Sequence, residues 1–289
     1  MSYLSKVTKP KVKPPFLIIS GHKGAGKSTL GALFPKPVFL RAEDGTAVFE
    51  SWNEDRQPIL LPVINKPTGS NKRVQQSSKM EVMAQLDEIL TAEHDFQTLV
   101  IDTVTSMNEL FEDEIAIESG VETVADAAGG FHKGYDVLKR WHTEVIDKLL
   151  TIREVRKMTI VLLTHTGVRK IKLDPQQAME YSVFTIGVHE RSAEVYSALA
   201  DAILFIDTQK MVIGAKEDQR RKTQTKVGGL YTSGERFIIT SSDGKQGYAS
   251  AKSRYSGMPT DIPLEHGRNP LLQYIPYFQQ QFNNSKQEG

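Results

Sequence analysis

The run Gly21-His22-Lys23-Gly24-Ala25-Gly26-Lys27-Ser28-Thr29 has the full G-x-x-x-x-G-K-[ST] spacing of a phosphate cradle, and it narrows the possible folds more than any other stretch of the chain. It follows the apolar run Phe16-Leu17-Ile18-Ile19 and opens a helix that Pro35 stops, so a strand, a glycine loop and a helix succeed one another. Glycines at 21, 24 and 26 let the backbone wrap a polyphosphate closely. The inward amides and the helix start then hold the β-phosphate, Lys27 reaches the β and γ oxygens, and the Ser28 hydroxyl is placed to ligand Mg²⁺.

At 289 residues the chain has room for one large α/β domain and a small appendage. The formal net charge of +1 provides no global attraction to polyanions, so any such contact must be local. Two basic clusters stand out, Lys6, Lys9, Lys11 and Lys13 in the amino-terminal arm, and Lys216, Arg220, Arg221 and Lys222 within a loop. Each also reads as an ordinary solvated segment. Cysteine is absent, which excludes disulfides, cysteine-ligated zinc and a catalytic thiol. With no signal-peptide pattern and no run of eighteen apolar residues, the expectation is a soluble, cytoplasmic protein with no membrane partner.

The pattern divides the chain into a flexible basic arm over 1–15, a core over 16–263 and a carboxyl-terminal tail over 264–289, partly disordered from Gln279 where glutamine and asparagine dominate. Strands are expected at 37–42, 98–101, 158–163 and 202–206. Ser78-Lys79-Met80-Glu81 reads as a capping box, and an amphipathic helix is expected around Val137 to Ile152 after a break at Ala127-Ala128-Gly129-Gly130. Residues 166–192 read as polar with weak periodicity, and the segment beyond 206 as hairpin strands. The fold class is therefore α/β, a mostly parallel sheet with helices on both faces and a carboxyl-terminal β-hairpin region.

Asp102 ends the buried run Leu99-Val100-Ile101, where open α/β sheets present ligand groups, and is the expected Mg²⁺ partner beside Ser28; a capping aspartate is the alternative. The runs 99–104 and 39–45 resemble the signature strands of RecA-like recombinase ATPases. Ala251-Lys252-Ser253-Arg254-Tyr255-Ser256-Gly257-Met258-Pro259 is similar to the carboxyl-terminal signature of phage-encoded RecA-like proteins, among them ATP-dependent single-strand annealing proteins.

The resemblance implies a RecA-like P-loop NTPase core binding and hydrolysing ATP with Mg²⁺. It implies that Glu43, at the end of a strand next to the cradle, orients the attacking water, with Asp44 as the other candidate. It implies that His165, after the fourth core strand, stands where the family carries a γ-phosphate sensor, often glutamine; a histidine satisfied by backbone groups is the alternative. Lys252 and Arg254 match cations that complete a neighbouring subunit's site, which implies a ring or filament of identical copies. Single-stranded DNA is the implied partner, with a single-strand-binding protein beside it. Phe131 and Lys133 in one loop, and Arg169, Lys170 and Lys172 in another, are the candidate contacts, although core aromatics with solvated cations fit equally. The expected function is single-strand annealing or recombination in a phage-infected host's cytoplasm. The other reading is a nucleotide-switched module for a replication or packaging partner, suggested by the near-neutral charge, and a small-metabolite kinase is a weaker third because no lid or acceptor segment is evident.

Overall fold

Short runs of alternating apolar residues fix the architecture, because in an extended chain successive side chains point to opposite faces. The computed structural model describes residues 11–45, 47–172, 180–213, 229–243 and 247–285. The first half contains β1 (Phe16–Gly21), α1 (Lys27–Ala32), β2 (Pro37–Arg41), β3 (Ile59–Val63), β4 (Thr68–Ser70), β5 (Arg73–Gln76), α2 (Ser78–Thr91), β6 (Thr98–Asp102), α3 (Val104–Ser119) and α4 (Gly134–Val155). The second half contains β7 (Thr159–Lys172), β8 (Glu180–Ile186), α5 (Glu190–Leu199), β9 (Ala202–Ile213), β10 (Gly229–Ile239), β11 (Lys252–Ser253), β12 (Asp261–Pro263) and α6 (Pro276–Ser285).

Among the described residues one sheet has the order β12-β10-β9-β1-β7-β6-β2-β3, with β11 against β9 and β8 against β7. From β9 to β3 every neighbouring pair is parallel. The β9–β10 and β10–β12 pairs are antiparallel. Phe16, Ile18, Leu99, Ile101, Ile160 and Leu162 face one core with α2, α3 and α4. Leu17, Ile19, Val100, Val161 and Leu163 face the other, with α1 and the segment around Leu271 and Phe278. A parallel sheet covered on both faces is therefore built from strands too apolar to show a solvent side.

Several expectations are corrected. β2 is not next to β1, since β7 and β6 lie between them. Residues 166–172 and 180–186, read as polar and weakly periodic, form a hairpin in which β7 continues beyond the core and pairs with β8. Exposed strands of this kind alternate too weakly to stand out. Ser77, not Ser78, caps α2, accepting from Met80 N at 3.0 Å, while the Ser78 hydroxyl donates to Asn65 O at 2.6 Å. Residues 279–285 of the segment expected to be disordered belong to α6, because Ile275 and Phe278 are buried and Phe278 packs on Phe34 with ring centres 5.9 Å apart; residues 286–289 lie outside the described residues. Apolar anchors at the start of that helix outweigh its polar composition. Lys6, Lys9 and the loop cations Lys216, Arg220, Arg221 and Lys222 lie outside the described residues.

Candidate active site

The glycine loop spans the gap between the carboxyl end of β1 and the first residue of α1. Gly24 and Gly26 take φ of +77° and +97°, left-handed values that a side chain disfavours. Lys27 folds back over this loop, and its Nζ donates to Gly21 O at 3.0 Å and His22 O at 3.1 Å. His22 itself is exposed and meets the edge of Phe184 with ring centres 5.3 Å apart, whereas Lys23 and Thr29 border a cleft of about 520 Å³ with Lys27.

β7 lies between β1 and β6 and carries His165 to the cleft. Its backbone is fixed from three sides: His165 N donates to Thr105 Oγ1 at 2.9 Å, and His165 O accepts from Gly187 N at 2.7 Å and from the Ser20 hydroxyl at 3.2 Å. A Cβ at Gly187 would come within 2.6 Å of His165 O, so the close approach requires glycine. The ring spans the site, with Nδ1 3.3 Å from Lys27 Nζ and Nε2 3.4 Å from Glu43 Oε2. An ammonium has no lone pair to offer, so Nδ1 accepts, and the ring proton sits on Nε2 and is donated to Glu43.

Glu43 follows β2 by two residues and also accepts from the Ser106 hydroxyl at 2.7 Å. Ser106 is held in turn by Thr103, which caps α3. Hydrogen bonding from His165, opposed by partial burial and reinforced by Ser106, lowers the Glu43 carboxyl to about 2. Asp44 also borders the cleft, 3.5 Å from Arg41 Nη1.

Asp102 ends β6 and is 3 % exposed. Burial raises its carboxyl above the ordinary range, with the hydrogen bond from Ser28 acting in the opposite direction, and its Oδ1 is buried without a partner. Burial likewise draws the Lys27 ammonium down against the pull of Asp102 and Glu43. A hydroxyl beside a desolvated carboxylate with an unused oxygen is a donor set that suits a hard, oxygen-seeking cation such as Mg²⁺.

The other candidates separate into two groups. Phe131 is 91 % exposed with φ of +54°, next to Lys133 at the start of α4. Arg169 is ion-paired with Glu190 at 3.6 Å, Lys170 is exposed, and Lys172 pairs with Glu180 in the ladder. These two loops converge at the start of α5, where Arg191 donates to His132 O at 3.3 Å, one residue from Glu190. Lys252 and Arg254 stand at the other end of the strands, where β11 pairs with the first residues of β9. There Lys252 Nζ donates to Ser197 O, and Arg254 Nη2 donates to Ala198 O at 2.9 Å, each completing the carboxyl terminus of α5.

Three contributors were missed in the sequence: Thr105, Ser106 and Arg236. The hydroxyl run after Asp102 was a signal for the first two. Arg236 lines the cleft from β10, and nothing local in its sequence marks it.

No helix among the described residues is long and apolar enough to cross a membrane. A family model described as an AAA domain matches residues 13–254. No curated protein matches the chain.

Proposed function

The chain belongs to the AAA domain family, and from that premise we propose that it hydrolyses ATP with Mg²⁺ and uses the cycle to act on single-stranded DNA in recombination or annealing. A P-loop nucleotide-binding core is the common property of such a domain. The observation that carries the reading is the continuous network Lys27–His165–Glu43–Ser106, lying beside Ser28 and Asp102 at the carboxyl ends of parallel strands.

In this mechanism the cradle amides and Lys27 hold the β and γ phosphates, and Lys27 exchanges its carbonyl partners for phosphate oxygens. Ser28 and Asp102 would hold the Mg²⁺ ion, which neutralises charge on the phosphate oxygens when bound. Glu43 is ionised at neutral pH and is too weak a base to take a proton early, so it accepts a hydrogen bond from the attacking water and orients it. His165 bonds Glu43 through Nε2 and touches Lys27 through Nδ1, so the γ-phosphate competes with it for Lys27 and the attacking water competes with it for Glu43. Because β7 continues into the hairpin with β8, that competition is passed to the outer part of β7 that bears Arg169 and Lys170.

Single-stranded DNA is supported by the exposed ring of Phe131 beside Lys133, with Arg169 and Lys170 on the converging hairpin. Assembly of identical copies, with Lys252 and Arg254 reaching a neighbour's phosphates, is part of the same reading and rests on their position away from their own cradle. A phage source and a single-strand-binding partner follow from the sequence resemblance alone. The test is ATP turnover with Mg²⁺, with and without single-stranded DNA, alongside a shift assay at low salt. Turnover stimulated by DNA is expected; turnover without DNA binding would remove the recombination role.

One observation favours a second reading, a nucleotide-switched module for a protein partner. The cleft of about 630 Å³ next to the two loops is lined by Glu109, Glu112, Glu190 and Glu194 against Arg169. Such a lining repels phosphate and suits a basic protein segment. ATP-dependent recovery of a protein partner, with no DNA stimulation, would select it.

A further inference from the structure

Arg236 has no part in the network above, yet its guanidinium lies against the phosphate loop. Nη1 donates to Ala25 O at 3.4 Å, the long limit of a hydrogen bond, and this is the guanidinium's one such bond among the described residues. A Cβ placed on Gly26 would lie 2.9 Å from the same nitrogen. The side chain borders two spaces at once: the cleft of about 520 Å³ shared with Lys27, Glu43 and His165, and a recess of about 280 Å³ shared with Thr29, Leu264 and His266.

Its backbone setting is irregular. Arg236 pairs with Thr208, but the β9–β10 register shifts between Thr232 and Arg236, and Gly234 takes φ of +79°. A bulge of this kind re-aims a side chain and bends the strand that carries it. An exposed guanidinium held by one long bond to a neutral carbonyl exchanges that bond for phosphate readily, because the phosphate carries the opposite charge and can accept two parallel bonds from the fork.

We propose that Arg236 is a nucleotide-contacting residue supplied by the chain's own β9–β10 hairpin: on binding, its guanidinium leaves Ala25 O for the phosphate chain of a nucleoside triphosphate. The inference rests on the nucleotide reading of the cradle and adds a ligand to it.

The test is equilibrium binding of Mg-ATP by calorimetry to the full chain and to the Arg236→Gln and Arg236→Lys variants, with the thermal midpoint of each free protein. Arg236→Gln should weaken Mg-ATP about 10- to 100-fold without lowering the free protein's midpoint. Arg236→Lys, which keeps a point charge without the fork, should fall between. Added salt should weaken the parent more than the glutamine variant. If the parent takes up no Mg-ATP, the nucleotide reading itself fails. If the parent binds and Arg236→Gln binds equally well, this inference alone is overturned. A lowered midpoint in Arg236→Gln with parental affinity in Arg236→Lys would make the residue structural, and would overturn it too.

Discussion

Lys27 Nζ stands 3.3 Å from Nδ1 of His165, and this contact ties the cation of the glycine loop to the strand whose imidazole also holds Glu43. The pair decides the imidazole tautomer, and through Nε2 it also decides how tightly Glu43 is held. A ligand that takes Lys27 therefore changes the environment of Glu43 without touching it.

Lys27→Ala should abolish hydrolysis, whereas Glu43→Gln should retain Mg-ATP affinity and lower kcat by about 10²–10⁴-fold. Coupled-enzyme turnover together with calorimetry separates the two. Parental turnover in Glu43→Gln would move the water-orienting role to another group.

Glu43 also predicts an acid-stability effect with a definite sign. Its folded carboxyl lies at about 2, below the ordinary value, so its bonds to His165 and Ser106 stabilise the fold above the unfolded value and are lost as pH falls toward 2. The thermal-midpoint advantage of the parent over Glu43→Gln should shrink between about pH 5 and pH 3. An advantage that stays constant across that range would contradict the assignment.

Asp102 carries the opposite sign. Its carboxyl is raised by burial, so its ionised form costs stability that returns as pH falls. Asp102→Asn should therefore raise the thermal midpoint of the free protein at neutral pH while removing Mg²⁺-dependent turnover. A lowered midpoint would mean that the carboxylate holds the fold together.

A Cβ at Gly134 would fall 1.8 Å from Val124 O, whereas Gly129 has open space around it. Gly134→Ala should cost about 3 kcal/mol or more by forcing the 124–129 turn away from α4. Gly129→Ala bears only the strain of its φ of +91°, about 1 kcal/mol. Urea unfolding of the two variants gives the comparison, and equal losses would refute it.

Phe131, being 91 % exposed, contributes little to the core. Phe131→Ala should leave the thermal midpoint unchanged and weaken single-stranded DNA by about 1–3 kcal/mol if a base stacks on it. Fluorescence anisotropy at fixed salt reads the difference, and unchanged affinity would remove this loop from the DNA surface.

The phosphate loop, Asp102, Glu43 and His165 were legible because each follows an apolar run short and continuous enough to be a buried strand, and strand ends converge in a parallel sheet. The order of the strands was not. β2 reaches the site from three places away, and Glu43 closes that distance only because the loop after Arg41 turns it toward Ser106 and His165. Arg236 was illegible for a related reason, since it comes from a distant hairpin whose bulge aims it. The α6 helix escaped detection because its apolar residues sit at its start while Gln279 to Ser285 is mostly polar, and the anchoring value of Phe278 depends on Phe34 far away in the chain.

β7 is a single strand of 14 residues, and His165 is the seventh of them. Its inner half is clamped between β1 and β6, while its outer half belongs to the hairpin, so the chain is mounted like an oar with the histidine at the rowlock. At about 3.3 Å per residue the blade extends ~23 Å beyond that pivot, and a tilt of about 5° there sweeps the tip by ~2 Å. A small adjustment at His165 is thus magnified along the length of the hairpin.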